Sequence, residues 1–204
     1  MKNKTSKSKV NIPIQKKPDT LAKPIIKLFR YRLIQFSKQK DTELIPHLDL
    51  GFSIFLENKE KLSKFKIGSM IESNKENKNF TYQPSSNVKE LYTYKAYLER
   101  VIDGDTILVY IDLGFSILTK QRLRLRGIDT AELTTKQGLS AKKYIEQELQ
   151  DCKFLIIKTY SKDKYDRHLV DVFYLKNTTD EKKIIKDGLF LNNELLNEEL
   201  AVRI

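Results

Sequence analysis

Two stretches, Leu48-Asp49-Leu50-Gly51-Phe52-Ser53-Ile54 and Ile111-Asp112-Leu113-Gly114-Phe115-Ser116-Ile117, agree at six of seven positions. A match of that length points to duplication of a strand–turn–strand unit, so the chain is expected to contain two related β elements. Asp41-Thr42 lies upstream of the first copy much as Asp105-Thr106 does of the second, with the spacing shifted by one residue. Lys61-Leu62-Ser63-Lys64-Phe65 then falls where an arginine-rich strand lies in the second copy. A hairpin sequence shared only locally is the alternative.

The second copy sits in the better-defined half of the chain. Tyr94–Val101 and Thr106–Ile111 read as strands joined at Asp103-Gly104-Asp105. Arg122–Ile128 alternates strictly, which turns Leu123 and Leu125 to a core and the arginines at 122, 124 and 126 to the other face. Lys136–Gln150 reads as a helix with Leu139, Tyr144, Ile145 and Leu149 as its apolar stripe, capped by Thr134 or Thr135. Phe154–Tyr160 and His168–Leu175 read as strands, and Leu189–Leu200 as a short helix. The order strand, strand, strand, helix, strand, strand, helix predicts an α+β chain, mainly β, whose core is a small barrel packed with two helices.

The net charge of +11 is confined to one end: residues 1–40 hold twelve Lys or Arg against Asp19 alone, and the rest of the chain is balanced. Residues 1–27, with Pro13, Pro18 and Pro24 and no sustained period, read as a basic disordered tail. Its excess charge suits a polyanion, or simply a solvated leader. Residues 28–90 read as a degenerate β element, with a polar break over Glu72–Asn87, and 91–204 as the main domain. There is no apolar run of membrane-spanning length and no apolar signal segment, and Cys152 alone cannot form an internal disulfide. A cytoplasmic monomer is the expectation, with secretion left open.

One cysteine and two distant histidines, His47 and His168, argue against a soft zinc-type site. Carboxylates are plentiful, so a metal would be a hard, oxygen-bound cation. Asp103 and Asp105 lie at a strand bend, and Asp129 and Glu132 lie just beyond the arginine strand. Alone, Asp-Gly-Asp is an ordinary turn and Asp163-Lys164-Tyr165-Asp166-Arg167 an ordinary polar loop. Their succession within one barrel-like block is what points to chemistry.

Val101-Ile102-Asp103-Gly104-Asp105-Thr106, then Arg122-Leu123-Arg124-Leu125-Arg126-Gly127-Ile128-Asp129-Thr130-Ala131-Glu132, then Asp163–Arg167 resembles the staphylococcal (micrococcal) nuclease family, from about Tyr94 to the C-terminus. The resemblance implies a five-stranded OB-type barrel with helices, preceded here by the partial duplicated β element. It also implies Ca²⁺-dependent hydrolysis of phosphodiesters in DNA or RNA, with Mg²⁺ or Mn²⁺ as other hard cations. Carried over, Asp105 and Asp129 would ligate the metal with the Thr130 carbonyl, and Asp103 would stand behind them. Glu132 would act as base on the attacking water, or orient it. Arg124 and Arg167 would hold the scissile phosphate, with Lys164 and Tyr165 at a neighbouring one. These residue types suit the chemistry, because guanidinium forks and a divalent cation neutralise charge that grows on phosphate oxygens during attack.

Ala131 replaces the family's usual proline and Asp166 its usual glycine, and the chain stops at Ile204, soon after Val202, without the family's longer C-terminal helix. The first copy has Lys64–Met70 opposite the arginine–Asp–Glu stretch, without Arg, Asp or Glu, so it is expected to be non-catalytic. The competing reading of the whole chain is a non-catalytic OB-fold nucleic-acid-binding protein.

Overall fold

The computed structural model describes residues 19–37, 44–76 and 79–204. The Asp41-Thr42 pair and most of the basic N-terminal stretch lie outside these. The first half holds β1 (Arg30–Ser37), β2 (Leu44–Asp49), β3 (Phe55–Glu57), α1 (Lys59–Leu62), β4 (Met70–Glu76), β5 (Asn79–Ser85) and a 3-10 turn at Val88–Glu90. The second half begins with β6 (Thr93–Val101), β7 (Thr106–Asp112), β8 (Leu118–Leu125) and β9 (Ile128–Thr130). It continues with α2 (Lys136–Leu149), β10 (Leu155–Lys162), β11 (His168–Tyr174) and α3 (Glu181–Asp187). It ends with β12 (Leu189–Phe190), α4 (Leu191–Asn197) and β13 (Ala201–Arg203). Among the described residues no helix is long and apolar enough to cross a membrane.

The second half is a closed five-stranded OB-like barrel, β10-β6-β7-β8-β11, with β11 returning to β10. Its neighbours are antiparallel except β8 and β11, which run parallel through Leu123↔His168, Arg124↔Leu169 and Leu125↔Val170. Alternation in β8 works as the sequence predicts: Leu123 and Leu125 are fully buried, while Arg122 and Arg124 face outward. The alternation stops at Gly127, whose φ of +70° turns the chain into β9. Buried Asn192 of α4 secures this corner. Its amide donates to the carbonyls of Arg126 and Val170, both at 3.0 Å, and its oxygen accepts from Val172 N–H at 3.1 Å.

Several expectations are corrected. Helix α2 is capped by Thr135, but Leu139 is 55% exposed and the buried face is Gly138, Ala141, Ile145 and Leu149. Helix α3 and strands β12 and β13 flank a final helix shorter than predicted. The polar break over 72–87 is mostly a hairpin, β4–β5, whose polar residues face solvent while Ile71, Ser73 and Tyr82 point inward. Lys61–Phe65 is not a strand: Asn58 caps α1 and Leu62 is buried beneath it. Residues 19–27 are held against the barrel rather than free. Leu21 packs on Gly127 and exchanges backbone hydrogen bonds with the Asn193 side chain, donating at 2.7 Å and accepting at 2.9 Å. The apolar residues there are too few to show a period, so pattern reading passes over them.

The duplication is also larger than the seven-residue match. The first sheet has the order β3-β2-β1-β4-β5, which corresponds strand for strand to β8-β7-β6-β10-β11. Arg32 lies opposite Asp49 as Lys95 lies opposite Asp112, and Tyr31 opposite Ile71 as Tyr94 lies opposite Ile157. Even the positive φ angles recur, at Phe29 and Tyr92, Gly51 and Gly114, Phe52 and Phe115, Ser53 and Ser116. The first copy therefore carries counterparts of all five strands, but as an open sheet.

The copies lock together through reciprocal hydrogen bonds. Tyr31 Oη donates to the Leu113 carbonyl at 2.7 Å, and Tyr94 Oη to the Leu50 carbonyl at 2.8 Å. Each hydroxyl would clash with a Cβ on the other copy's turn glycine, standing 2.5 Å from that position at Gly114 and 2.3 Å from it at Gly51. The repeated glycine thus supplies both a left-handed turn and room for the partner tyrosine. Tyr31→Phe and Tyr94→Phe each leave a buried carbonyl without its donor, an expected loss of about 1–3 kcal/mol. Urea unfolding should show one transition with an unchanged slope and a lower midpoint in each variant. Two separated transitions would show instead that the copies unfold independently.

Candidate active site

The three sequence motifs meet in one open groove of about 1170 Å³ on the barrel. Its walls include Asp103 and Asp105 from the β6–β7 bend, Arg122 and Arg124 from β8, and Asp129 and Thr130 from β9. Glu132, after β9, and residues 163–167 of the β10–β11 loop complete it. All nine residues picked out by sequence therefore line the same space.

The bend is tight because Asp103 accepts from Asp105 N–H at 3.0 Å. Gly104 lets it press against Thr130, whose Oγ1 lies 2.6 Å from the position of a Cβ. Asp105 is 4% exposed. Burial pushes its carboxyl up to about 6; Arg124 opposes that shift and Asp103 adds to it. A buried carboxylate beside a second acid calls for positive charge, and Arg124 provides it here. The guanidinium donates to Asp105 at 2.7 Å and to Asp129 at 2.5 Å. Two carboxylates from different elements thus converge on one cation.

The network continues to the third motif. Thr106 Oγ1 donates to Asp105 at 3.0 Å and accepts from Arg167 at 3.3 Å. Asp163 accepts two contacts from the Arg167 guanidinium, at 2.8 and 2.7 Å, and also the backbone N–H groups of Tyr165 and Arg167. Although burial acts in the other direction, these hydrogen bonds from Arg167 and Tyr165 hold the Asp163 carboxyl below its ordinary range. Tyr165 is 66% exposed, with Lys164 and Arg167 over its ring at 4.9 and 5.3 Å. Asp166 has the left-handed φ that glycine would favour, at +63°, and its carboxylate turns to Lys162 at 2.7 Å rather than to Arg167.

The arginines of the alternating strand have different fates. Arg126 binds Asp171, which is fully buried, through two contacts of 2.9 Å and stacks on Tyr160 at 4.6 Å. It is a structural ion pair. Arg122 is exposed at the groove.

Sequence reasoning missed Thr106, which links the two halves of the network, and gave Asp163 no role of its own. It also missed two supports of the groove. Strand β13 pairs with β9, placing Val202 opposite Asp129 and Ala201 opposite Thr130. Gly138 allows α2 to abut the loop carrying Glu132, since a Cβ there would stand 2.2 Å from the Glu132 carbonyl.

Asp105, Asp129 and the Thr130 carbonyl, the donors that the resemblance implies, are all oxygens, the chemistry that suits a hard divalent cation. Among the described residues, no three His, Cys, Asp or Glu side chains gather as a metal cluster. The fit rests on two carboxylates that already share one positive charge.

Residues 122–201 match the family model of the staphylococcal nuclease homologues. Comparison with curated proteins gives no match. The matched stretch includes Arg124, Asp129, Glu132 and Arg167, and stops short of the Asp103–Asp105 bend.

Alanine ordinarily stabilises a helix relative to glycine. Gly138→Ala should do the reverse, lowering stability by about 1–3 kcal/mol through overpacking and shifting the backbone amide resonance of Glu132. A gain in thermal midpoint with an unmoved Glu132 resonance would contradict this packing.

Proposed function

From the match of residues 122–201 to the staphylococcal nuclease homologues, we propose that the groove hydrolyses phosphodiester bonds of DNA or RNA with Ca²⁺ held by Asp105, Asp129 and the Thr130 carbonyl. Mg²⁺ and Mn²⁺ share the same oxygen-donor chemistry. The observation that carries this reading is the continuous network Asp129–Arg124–Asp105–Thr106–Arg167.

When bound, the cation neutralises charge on a phosphoryl oxygen. A cation held by Asp105 and Asp129 would balance their charge, so that the Arg124 fork, now shared between them, would be available to phosphate oxygens. Arg167, oriented by Asp163 and Thr106, supplies a second fork. Glu132, exposed at the groove, accepts a proton from the attacking water. The water oxygen forms the new bond to phosphorus as the bond to the leaving sugar oxygen breaks. Lys164 and Tyr165 hold the next phosphate, and Asp103 braces the bend behind Asp105.

The second reading is binding without turnover, and the observation in its favour is that Arg124 is held by both acids. A cleavage assay on plasmid DNA and RNA with Ca²⁺, Mg²⁺ or Mn²⁺ separates the two. Turnover is expected with at least one cation and should stop with EDTA. Glu132→Gln should slow it roughly 10²–10⁴-fold, and Arg124→Ala on the order of 10²–10³-fold. Full activity in Glu132→Gln would remove that carboxylate from the mechanism. Metal-independent binding with no turnover would establish the second reading.

A further inference from the structure

The pseudo-symmetric seam between the copies should produce two equivalent clefts, and it does, but they differ. One lies beside Gly51 and Phe52 and is lined also by Arg32, Phe55, Tyr92, Lys158 and His168. Its mate lies beside Gly114 and Phe115 and is lined also by Phe29, Ser73 and Phe80. The correspondence is residue by residue. Thr159 N–H donates to the Tyr92 carbonyl as Ser73 N–H does to the Phe29 carbonyl. His168 meets Phe52, centroids 4.6 Å apart, as Phe80 meets Phe115 at 4.6 Å.

The mate is smaller. Tyr82 adds a stacked contact to Phe115 beside that of Phe80, and about 170 Å³ remains. The first cleft is open, at about 750 Å³, within the size range of ligand sites. Its charges differ too. Lys158 lies opposite Thr93 in the ladder as Glu72 lies opposite Arg30, and Glu72 lines not the mate but a neighbouring cavity of about 310 Å³. Arg32 corresponds to Lys95, but Lys95 is paired with Glu181 and lies over Phe154. Among the described residues, Arg32 is exposed and has no ion-pair partner. The cleft's carboxylate, Asp49, is already engaged by Gly51 N–H and Tyr92 Oη at 2.9 Å each.

An open aromatic cleft with a free guanidinium suits a planar ring carrying an anionic group. The β10–β11 hairpin joins it to the catalytic groove: Asp163 to Arg167 line the groove, while Ser161 and His168, at the hairpin's base, line the cleft. We propose that this cleft binds a nucleotide unit of a single-stranded nucleic acid that also occupies the catalytic groove, the base lodging among Phe52, Phe55 and Tyr92 and a phosphate meeting Arg32. The inference rests on the nucleic-acid reading of the groove, and it extends the contact surface onto the non-catalytic copy.

The test is amide-resolved NMR titration with a short oligothymidylate, with EDTA present so that the strand stays intact. Saturable shifts are expected at Arg32, Phe55, Tyr92 and Tyr160. Arg32→Gln and Phe55→Ala change exposed side chains. Each should weaken saturation at the cleft about tenfold, equivalent to about 1.4 kcal/mol and within the range for one stacked base. Shifts confined to the catalytic groove, or equal affinity in the parent and both variants, would overturn the proposal. Because binding is read without turnover, a failed cleavage assay and a failed titration are distinguishable results.

Discussion

Parallel pairing of β8 with β11 is the contact on which the groove depends. It closes the barrel and sets Arg124 beside Leu169, which brings the β10–β11 loop, with Arg167 and Lys164, to the groove that Asp105 and Asp129 line. A parallel ladder of three residue pairs is a modest attachment, and the structure reinforces it. Asn192 ties both strands to α4, and the Arg126–Asp171 pair, with Tyr160 donating to Asp171 at 2.7 Å, spans the same seam. A buried carboxylate such as Asp171 is tolerable only because its charge is met on several sides. In the first copy β3 has three residues and does not reach β5, so the sheet stays open. Among the described residues, the first copy thus has neither barrel closure nor a counterpart of the corner where Asp105, Arg124 and Asp129 meet.

Electrostatics within the groove follows from the same closure. Asp105 is buried by the barrel wall and left facing Asp103, and it meets the cationic side of the groove through Arg124 and Thr106. Acids lie at the bend and on β9, while the guanidinium forks lie on β8 and the opposing loop. The two sets meet across the groove, Arg124 on Asp105 and Asp129, and Arg167 on Asp163. The supports are mostly backbone and glycine contacts: the Gly104 bend against Thr130, Gly138 beneath Glu132, and β13 beside β9.

The barrel strands were legible in the sequence because each alternates or ends at a turn residue. The site residues were legible because three short motifs keep their order. What escaped lacks a local signature. Leu21 and Asn193 meet across most of the chain, and no periodicity marks either. Gly138 sits in a helical pattern where glycine reads only as a weak position, although its reason for being there is a carbonyl in the preceding loop. The duplication was visible only over seven residues, since elsewhere the copies share backbone form and not side chains: Ile71 and Ile157 still match, while Glu72 and Lys158 are opposite in charge. Leu139 failed as a core residue because α2 turns its small residues to the barrel, and glycine and alanine carry little weight in a hydrophobic pattern.

The reciprocal tyrosine bonds have a consequence for how such a chain can change. Two separate identical subunits joined by this contact would receive every substitution twice, so a residue improving one cleft would alter the other as well. Joined in one polypeptide, the halves inherit changes singly. One side can fill its cleft with Phe80 and lose its acids while the other keeps both, provided that Tyr31 and Tyr94 continue to hold the halves in register.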